Sequence, residues 1–173
     1  MVILQNITKK DWMILYDAMI AEMDECLRHN HDLRTSIECC FNVGQSYSAQ
    51  VQKILEDYKF PSDKDEIDFY KSVKPLFKSQ LEYYNLVYHA ELFKPMTNPG
   101  EMKEFWVKEH QKLDRFILDN TDFHTYYKKG ATNLDEQYFL SPDQTVYYDD
   151  LIAQLLALER YNQYTQKELS NIK

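Results

Sequence analysis

Apolar side chains recur along this chain every three or four residues, which is the spacing of a helix that buries one face. Six stretches show this pattern, and residues that start or end helices separate them. They cover approximately residues 8–28, 33–58, 66–91, 98–117, 122–129 and 146–169. The pattern predicts an all-α fold, an antiparallel bundle of about five to six helices that forms one domain over residues 1–173.

The predicted helix starts carry side chains that can accept hydrogen bonds from the free N–H groups of a first turn. Thr8 with Asp11 has the spacing of a capping box, and Asp32 can cap the second helix. Residues 62–66 (SDKDE) offer the third helix a cap oxygen and an acidic first turn. Asn98 can cap the fourth helix in the same way.

The third helix contains Pro75, which lacks a backbone N–H and clashes with the preceding turn, at a cost of about 3 kcal/mol inside a helix. Its apolar face nevertheless keeps one phase on both sides of the proline, which a loop would not be expected to preserve. That face consists of Ile67, Tyr70, Phe77, Leu81, Tyr84 and Tyr88, with Lys74 at the missing position. We therefore predict one long helix that is kinked near Pro75.

Gly44 and Ser48 lie one turn apart on the apolar face of the second helix. A glycine inside a helix costs about 1 kcal/mol relative to alanine. We expect a neighbouring helix to approach closely at this pair of small residues.

The net charge of −8 argues against contact with nucleic acid by these residues alone. Residues 1–70 hold 7 basic and 13 acidic side chains, and residues 71–173 hold 13 and 15. Binding to a phosphate backbone depends on clustered lysine and arginine. We therefore expect that this chain does not bind a phosphate backbone by itself.

The sequence also predicts a cytoplasmic protein without membrane contact. The longest apolar stretch, around residues 151–158, is far shorter than the roughly 20 residues of a spanning helix. The first residues, MVILQNITKKDW, lack the order of a secretory signal. Cys26, Cys39 and Cys40 lie on helix faces and are odd in number, so we expect reduced thiols.

The pattern of reactive residues gives no indication of catalysis. Glu-x-x-His pairs, which hold metals in helical bundles, do not occur in the chain. Cys39 and Cys40 are adjacent and do not form a Cys-x-x-Cys motif. A glycine-rich phosphate loop, a nucleophile elbow and a plausible triad are also missing from the sequence. We therefore predict no catalytic residue, no metal site, no cofactor and no enzymatic activity.

Residues 66–91 and 126–139 interleave aromatic and basic side chains. Such interleaving can indicate contact with nucleic acid or a partner, although on helices it more often marks a core stripe flanked by solvated lysines. If a surface of this chain contacts a partner, we expect that surface at the exposed edge of the kinked helix, near Lys74, Lys78 and Tyr83.

These two segments resemble the RteC family, regulators from the tetracycline-resistance conjugative elements of Bacteroides and its relatives. The first segment matches the pattern E-I-x-F-[FY]-K-x-[IV]-K-P, followed by a Tyr-Tyr pair and Tyr-x-x-E. The matching residues are Glu66, Ile67, Phe69, Tyr70, Lys71, Val73, Lys74, Pro75, Tyr83, Tyr84, Tyr88 and Glu91. The second block consists of Tyr126, Tyr127, Gly130, Thr132, Leu134, Asp135, Tyr138 and Phe139, and compatible spacing extends over roughly residues 1–170.

The resemblance implies a helical body followed by a small C-terminal winged helix that reads DNA and promotes excision of the element. We expect the winged helix downstream of Lys173, or lost in a natural short form, because it does not fit into these 173 residues. The leading hypothesis is therefore a helical regulatory or oligomerisation domain of an RteC-like transcriptional regulator, acting through a protein partner or self-association. The alternatives are a stand-alone helical interaction protein and a small-ligand sensor with a pocket among the tyrosines.

Overall fold

The computed structural model of this chain describes residues 7–29, 32–94, 98–128 and 142–172. These ranges contain helices and no strand, so the predicted all-α multi-helix fold is confirmed. The helices are α1 (Lys9–His29), α2 (Leu33–Asp57), α3 (Asp63–Asp68), α4 (Lys74–Phe93), α5 (Pro99–His110), α6 (Lys112–Asp119), α7 (Thr121–Lys128) and α8 (Pro142–Ser170), with a π-helical turn (Phe69–Val73) between α3 and α4.

The predicted capping side chains are in place. Asp11 accepts a hydrogen bond from the Thr8 N–H at 2.9 Å, and the Thr8 hydroxyl accepts one from the Asp11 N–H at 3.2 Å. The side chains of Asp32, Ser62 and Asn98 each accept a bond from the N–H three residues later, at 3.3, 3.2 and 2.9 Å. These bonds satisfy N–H groups that the first turn of a helix leaves free.

The predicted long helix is also present, because α3, the π turn and α4 follow one another without a break. In the π turn the N–H of Lys74 donates to the C=O of Phe69, five residues back. Pro75 therefore lies in the first turn of α4, where a missing N–H costs least. The disruption expected at Pro75 takes the form of a π turn directly before it.

Helix α4 lies at the centre of the molecule, with α2 on one side and α8 on the other. α1 and α2 form an antiparallel hairpin, in which Cys26 meets Cys39. α5 packs antiparallel against α8, since Trp106 contacts Tyr164 and Glu109 contacts Tyr161. The α4–α8 pair departs from the expected antiparallel arrangement, because its contacts advance in the same direction along both helices, from Lys74–Asp149 to Lys94–Glu168. The two helices can run parallel because a long connection, which contains α5, α6 and α7, joins them.

Because α4 has a neighbour on each side, the predicted apolar face of the long helix did not include all of its buried residues. On the predicted face Phe77 and Tyr84 are buried, whereas the other apolar members are half-buried. Phe69, Val73, Val87 and Ala90 are buried as well, although they do not lie on that face. A helix that packs on two sides buries more of its circumference than a single stripe predicts.

The close approach predicted at Gly44 is confirmed. A β-carbon on Gly44 would lie 3.4 Å from Leu81 Cδ1 and 3.4 Å from Met23 Cε. The backbone of α4 is equally near, since Leu81 Cα would be 3.6 Å away. Helices α2 and α4 therefore meet over a residue that has no side chain.

The expectation of three reduced thiols is wrong, because Cys26 and Cys39 form a disulfide. The α1–α2 hairpin brings their Cα atoms to 5.7 Å, within the usual range for a disulfide. Cys40, one residue further, points about 100° away around the helix and is a fully buried free thiol. Burial raises the pKa of the Cys40 thiol. The pairing depends on the packing of two helices, which spacing alone does not reveal.

Two boundaries differ from prediction. The helix predicted over residues 98–117 is interrupted at Gln111, which separates α5 from α6, and α8 starts at Pro142, four residues before the predicted 146. The predicted helix end at Gly130 and the second resemblance block beyond Lys128 lie outside the described residues. Among the helices of the described ranges, none has the length and hydrophobicity needed to cross a membrane.

Candidate functional site

Charged and polar side chains line the contact between α4 and α8 along most of its length. We call this contact the seam. It consists of Lys74, Lys78, Gln80, Tyr83, Tyr84 and Glu91 on α4 with Lys94 directly after it, and of Asp149, Asp150, Arg160, Tyr164 and Glu168 on α8. The members recur on each helix at spacings that place them towards the same neighbour.

At the first end of the seam, two lysines share a buried carboxylate. Asp149, whose side chain is 2% exposed, lies 3.3 Å from the Lys74 ammonium and 3.5 Å from that of Lys78. Lys78 also pairs with the exposed Asp150, and Lys74 lies 5.0 Å from the ring centre of Tyr70. A carboxylate buried this deeply requires cationic partners, because removal from water disfavours its charge.

In the middle of the seam, Arg160 contacts two tyrosines. Its guanidinium carbon is 3.9 Å from the ring centre of Tyr83, and its Nη2 donates to the Tyr84 hydroxyl at 3.3 Å. Arg160 also donates to Gln80, which in turn donates to the Tyr16 hydroxyl on α1 at 3.0 Å. Burial raises the pKa of Tyr84 to about 12, against the opposing effect of the Arg160 charge.

At the far end of the seam, the carboxylate of Glu91 accepts a hydrogen bond from the Tyr164 hydroxyl. Lys94 lies 3.9 Å from Glu91 and 3.4 Å from Glu168. Burial, reinforced by the Glu91 carboxylate, raises the pKa of Tyr164 far above its usual range. Tyr164 therefore remains a neutral hydrogen-bond donor at any physiological pH.

A second polar contact holds α8 from the side of α5. The Tyr161 hydroxyl donates to Glu109 at 2.6 Å, and Nδ1 of His110 lies 2.8 Å from the hydroxyl of Thr165. The side-chain amide of Asn162 donates to the backbone carbonyl of His110 at 3.1 Å. Burial and the Glu109 carboxylate raise the pKa of Tyr161 far above its usual range. Helix α8 is thus held in position by polar contacts on two sides.

All three residues predicted for the interaction surface belong to the seam. Lys74 and Lys78 have side chains that are 18% and 30% exposed, and Tyr83 is half-buried, so their predicted position on an exposed edge is wrong. Their contact with a partner stays a prediction.

Sequence reasoning missed Asp149, Arg160 and Tyr164, because these partners lie on a helix some seventy residues further along the chain. The adjacent Asp149–Asp150 pair at the edge of the apolar stretch of the last helix was the available signal.

The pocket expected among the tyrosines does not lie at the seam tyrosines. Tyr84 is 5% exposed, and the ring centres of Tyr83 and Tyr84 are 5.0 Å apart. Tyr161 and Tyr164 stack with ring centres 5.9 Å apart. Arg160 lies 3.9 Å and 5.2 Å from the ring centres of Tyr83 and Tyr84, so these side chains pack against one another. Within the described residues there is also no group of three or more side chains suited to holding a metal ion.

Comparison with protein families gives a match over the part of the chain that contains the seam. A family model described as RteC protein matches residues 68–173, which is more than half of the chain. The matched region begins just before the π turn and includes both α4 and α8. No curated protein matches the chain, and no solved structure does either.

Proposed function

This chain belongs to the RteC family, and from that premise we propose that it is the helical regulatory body of a regulator of conjugative-element excision. The family match is the observation that carries the proposal. We propose further that the body acts through a protein partner or self-association. DNA would then be read by a winged-helix domain outside these residues, in agreement with the net charge of −8.

The length of α8 and its attachment to the body support a role in setting the relative positions of two bound macromolecules. Helix α8 has 29 residues and is therefore about 43 Å long at 1.5 Å per residue. Contacts of Asp149 near one end and Glu168 near the other tie it to α4. Because these polar contacts join α8 to the body near both of its ends, we expect α8 to move with the body as a unit.

We propose that Tyr83 and Arg160 form the centre of the contact surface. Lys74 and Lys78 already share the carboxylates of α8, so they have little charge to offer a partner. Arg160 is exposed, and within the described residues no carboxylate lies at ion-pair distance from it. An arginine held on an aromatic ring loses little entropy on binding a carboxylate, and such pairs are frequent at the centre of interfaces. The partner would therefore present an acidic group.

Excision of a resident element tests the regulatory role. We expect deletion of the gene to reduce the amount of circular, excised element, measured by quantitative amplification of the joined ends. The wild-type gene supplied in trans should restore it. Unchanged excision after deletion would exclude the proposed role.

Arg160→Ala tests the contact surface, with Lys167→Ala as the matched control, because Lys167 is an exposed cation on the same helix. We expect Arg160→Ala to abolish restoration of excision while the thermal midpoint stays near that of the wild type, and Lys167→Ala to restore it fully. Sedimentation velocity of both variants measures their oligomeric state. A change of that state in Arg160→Ala alone would indicate self-association, and an unchanged state would indicate contact with a different protein. Equal restoration by the two variants would remove Arg160 from the contact.

The location of DNA reading is tested by an electrophoretic shift assay at low and moderate salt. We expect the 173-residue chain to show no sequence-dependent binding. Tight, sequence-dependent binding by these residues would contradict the proposal that DNA is read elsewhere.

A further inference from the structure

A cavity of about 390 Å³ opens between the start of α1, the segment that joins α2 to α3, and the π turn. This volume lies in the range of roughly 300–1,000 Å³ that small-molecule sites occupy. Buried side chains line its inner part, and exposed side chains form its rim. It lies apart from the seam and shares no residue with it.

Three aromatic side chains line the cavity: Trp12, Phe60 and Phe69. The ring centres of Trp12 and Phe69 are 4.7 Å apart, and those of Phe60 and Phe69 are 5.3 Å apart. Trp12 and Phe69 are almost fully buried, whereas Phe60 is half-buried. Aromatic rings have a negative electrostatic potential over their faces, which attracts cations.

The π turn contributes to this cavity directly. Phe69 and Val73, its first and last residues, both line the cavity. The Ser72 hydroxyl donates to the backbone carbonyl of Asp68 at 2.7 Å and to its carboxylate at 3.2 Å, which holds Asp68 at the rim. π turns are rare and are frequently found at functional sites.

The rim is negatively charged. Asp65 and Asp68 belong to it, and Lys9 is the one cation among the described residues that line the cavity. The ammonium of Lys9 lies 3.7 Å from the Asp68 carboxylate, and both side chains are about half exposed, at 55% and 52%. Exposed ion pairs of this kind contribute little, so a cation that also contacts the aromatic rings can displace Lys9.

We propose that this cavity binds a small organic cation of the alkylated-ammonium class. Its apolar substituents would pack against Trp12, Phe60 and Phe69, and its charge would face Asp68. Aromatic walls combined with a carboxylate rim favour a cation over a neutral molecule of the same shape, and the net negative rim disfavours an anion. This inference does not depend on the proposed role in excision.

Isothermal titration calorimetry of the full chain with three probes of nearly equal shape tests the site. The probes are choline, the neutral 3,3-dimethylbutan-1-ol and the anionic 3,3-dimethylbutanoate. We expect saturable binding of choline, about tenfold weaker binding of the alcohol, and no binding of the carboxylate. Equal affinity for choline and the alcohol would contradict a cation site, and absence of saturable choline binding would exclude the site altogether.

Two variants that should shift the choline affinity in opposite directions sharpen the test. Asp68→Asn should weaken choline binding about threefold to tenfold, and Lys9→Ala should strengthen it, because it removes the competing cation. Asp63→Asn and Lys10→Ala are matched controls, since these exposed neighbours on α3 and α1 do not line the cavity. Both controls should leave the affinity unchanged.

Phe60→Leu removes one ring and keeps an apolar side chain. It should weaken choline binding and leave the affinity for the alcohol nearly unchanged. If this variant does not fold, the opposite shifts of Asp68→Asn and Lys9→Ala still decide the question. Shifts of the same sign, or none, would overturn the proposal.

Discussion

The two sides of α4 are held in different ways. Towards α1 and α2 the contact is mainly apolar, with Met19, Met23 and Phe77 buried and α2 passing close over Gly44. Towards α8 the contact contains the buried carboxylates of Asp149 and Glu91. Apolar contact is non-directional and stabilises many similar arrangements, whereas a buried charge is costly unless a partner of opposite charge lies in good geometry. We infer that the α1–α2 side supplies most of the stability and that the seam fixes the register of α8.

The largest expected effect tests the apolar side. Phe77 is 1% exposed and contacts Tyr16 edge-on with ring centres 5.4 Å apart. Phe77→Ala should lower the free energy of unfolding, measured with urea, by about 3–5 kcal/mol, because it leaves a cavity. Leu118→Ala, at a position that is 76% exposed, should change it by less than about 1 kcal/mol. A loss below about 1 kcal/mol for Phe77→Ala would mean that this side does not dominate stability.

The next effect concerns the disulfide on the same side. Cys26–Cys39 closes a short loop, since the two residues are 13 positions apart. Its removal by the double change Cys26→Ala and Cys39→Ala should cost about 3 kcal/mol, by increasing the freedom of the unfolded chain. Urea unfolding with and without dithiothreitol checks this. The reductant should destabilise the wild type and leave the double variant unchanged.

The seam is tested by two neighbouring aspartates. Asp149→Asn removes a buried carboxylate and leaves Lys74 and Lys78 without it, which should cost about 2 kcal/mol after allowance for the partial exposure of the lysines. Asp150→Asn, where the side chain is 64% exposed, should cost less than about 0.5 kcal/mol. Equal losses of unfolding free energy for the two variants, measured with urea, would show that the burial of Asp149 does not contribute to stability.

The smallest effect appears at alkaline pH. The pKa of Tyr84 is raised to about 12 in the fold, from 10.0, so its contribution to stability is complete below pH 10 and is lost as the pH rises from 10 to 12. Tyr84→Phe should therefore lose less stability than the wild type over this interval, by about 1–2 kcal/mol. Urea unfolding at pH 9 and pH 11.5 measures the difference. Tyr88→Phe, on the same helix, controls for loss of a hydroxyl.

Local signals predicted the helices well because their causes are local. The caps at Thr8, Asp32, Ser62 and Asn98 depend on residues three positions apart, and the long helix across Pro75 followed from one periodic face. The break at Gln111 was missed, because the apolar pattern continues through it. The candidate site was only half predicted, since its α8 residues could not be assigned to α4 from spacing.

The amino-acid sequence by itself determined an all-α chain, the starts of its helices, the continuous helix around Pro75 and the resemblance to the RteC family that the family match then confirmed. Only the tertiary structure decided that α4 and α8 run parallel, that Asp149 and Arg160 lie in the seam, and that Cys26 pairs with Cys39. The physical reason is the separation along the chain over which each kind of interaction acts. Periodicity and capping act within a few residues, whereas pairing of buried charges and thiols depends on which helix faces meet after the chain has folded.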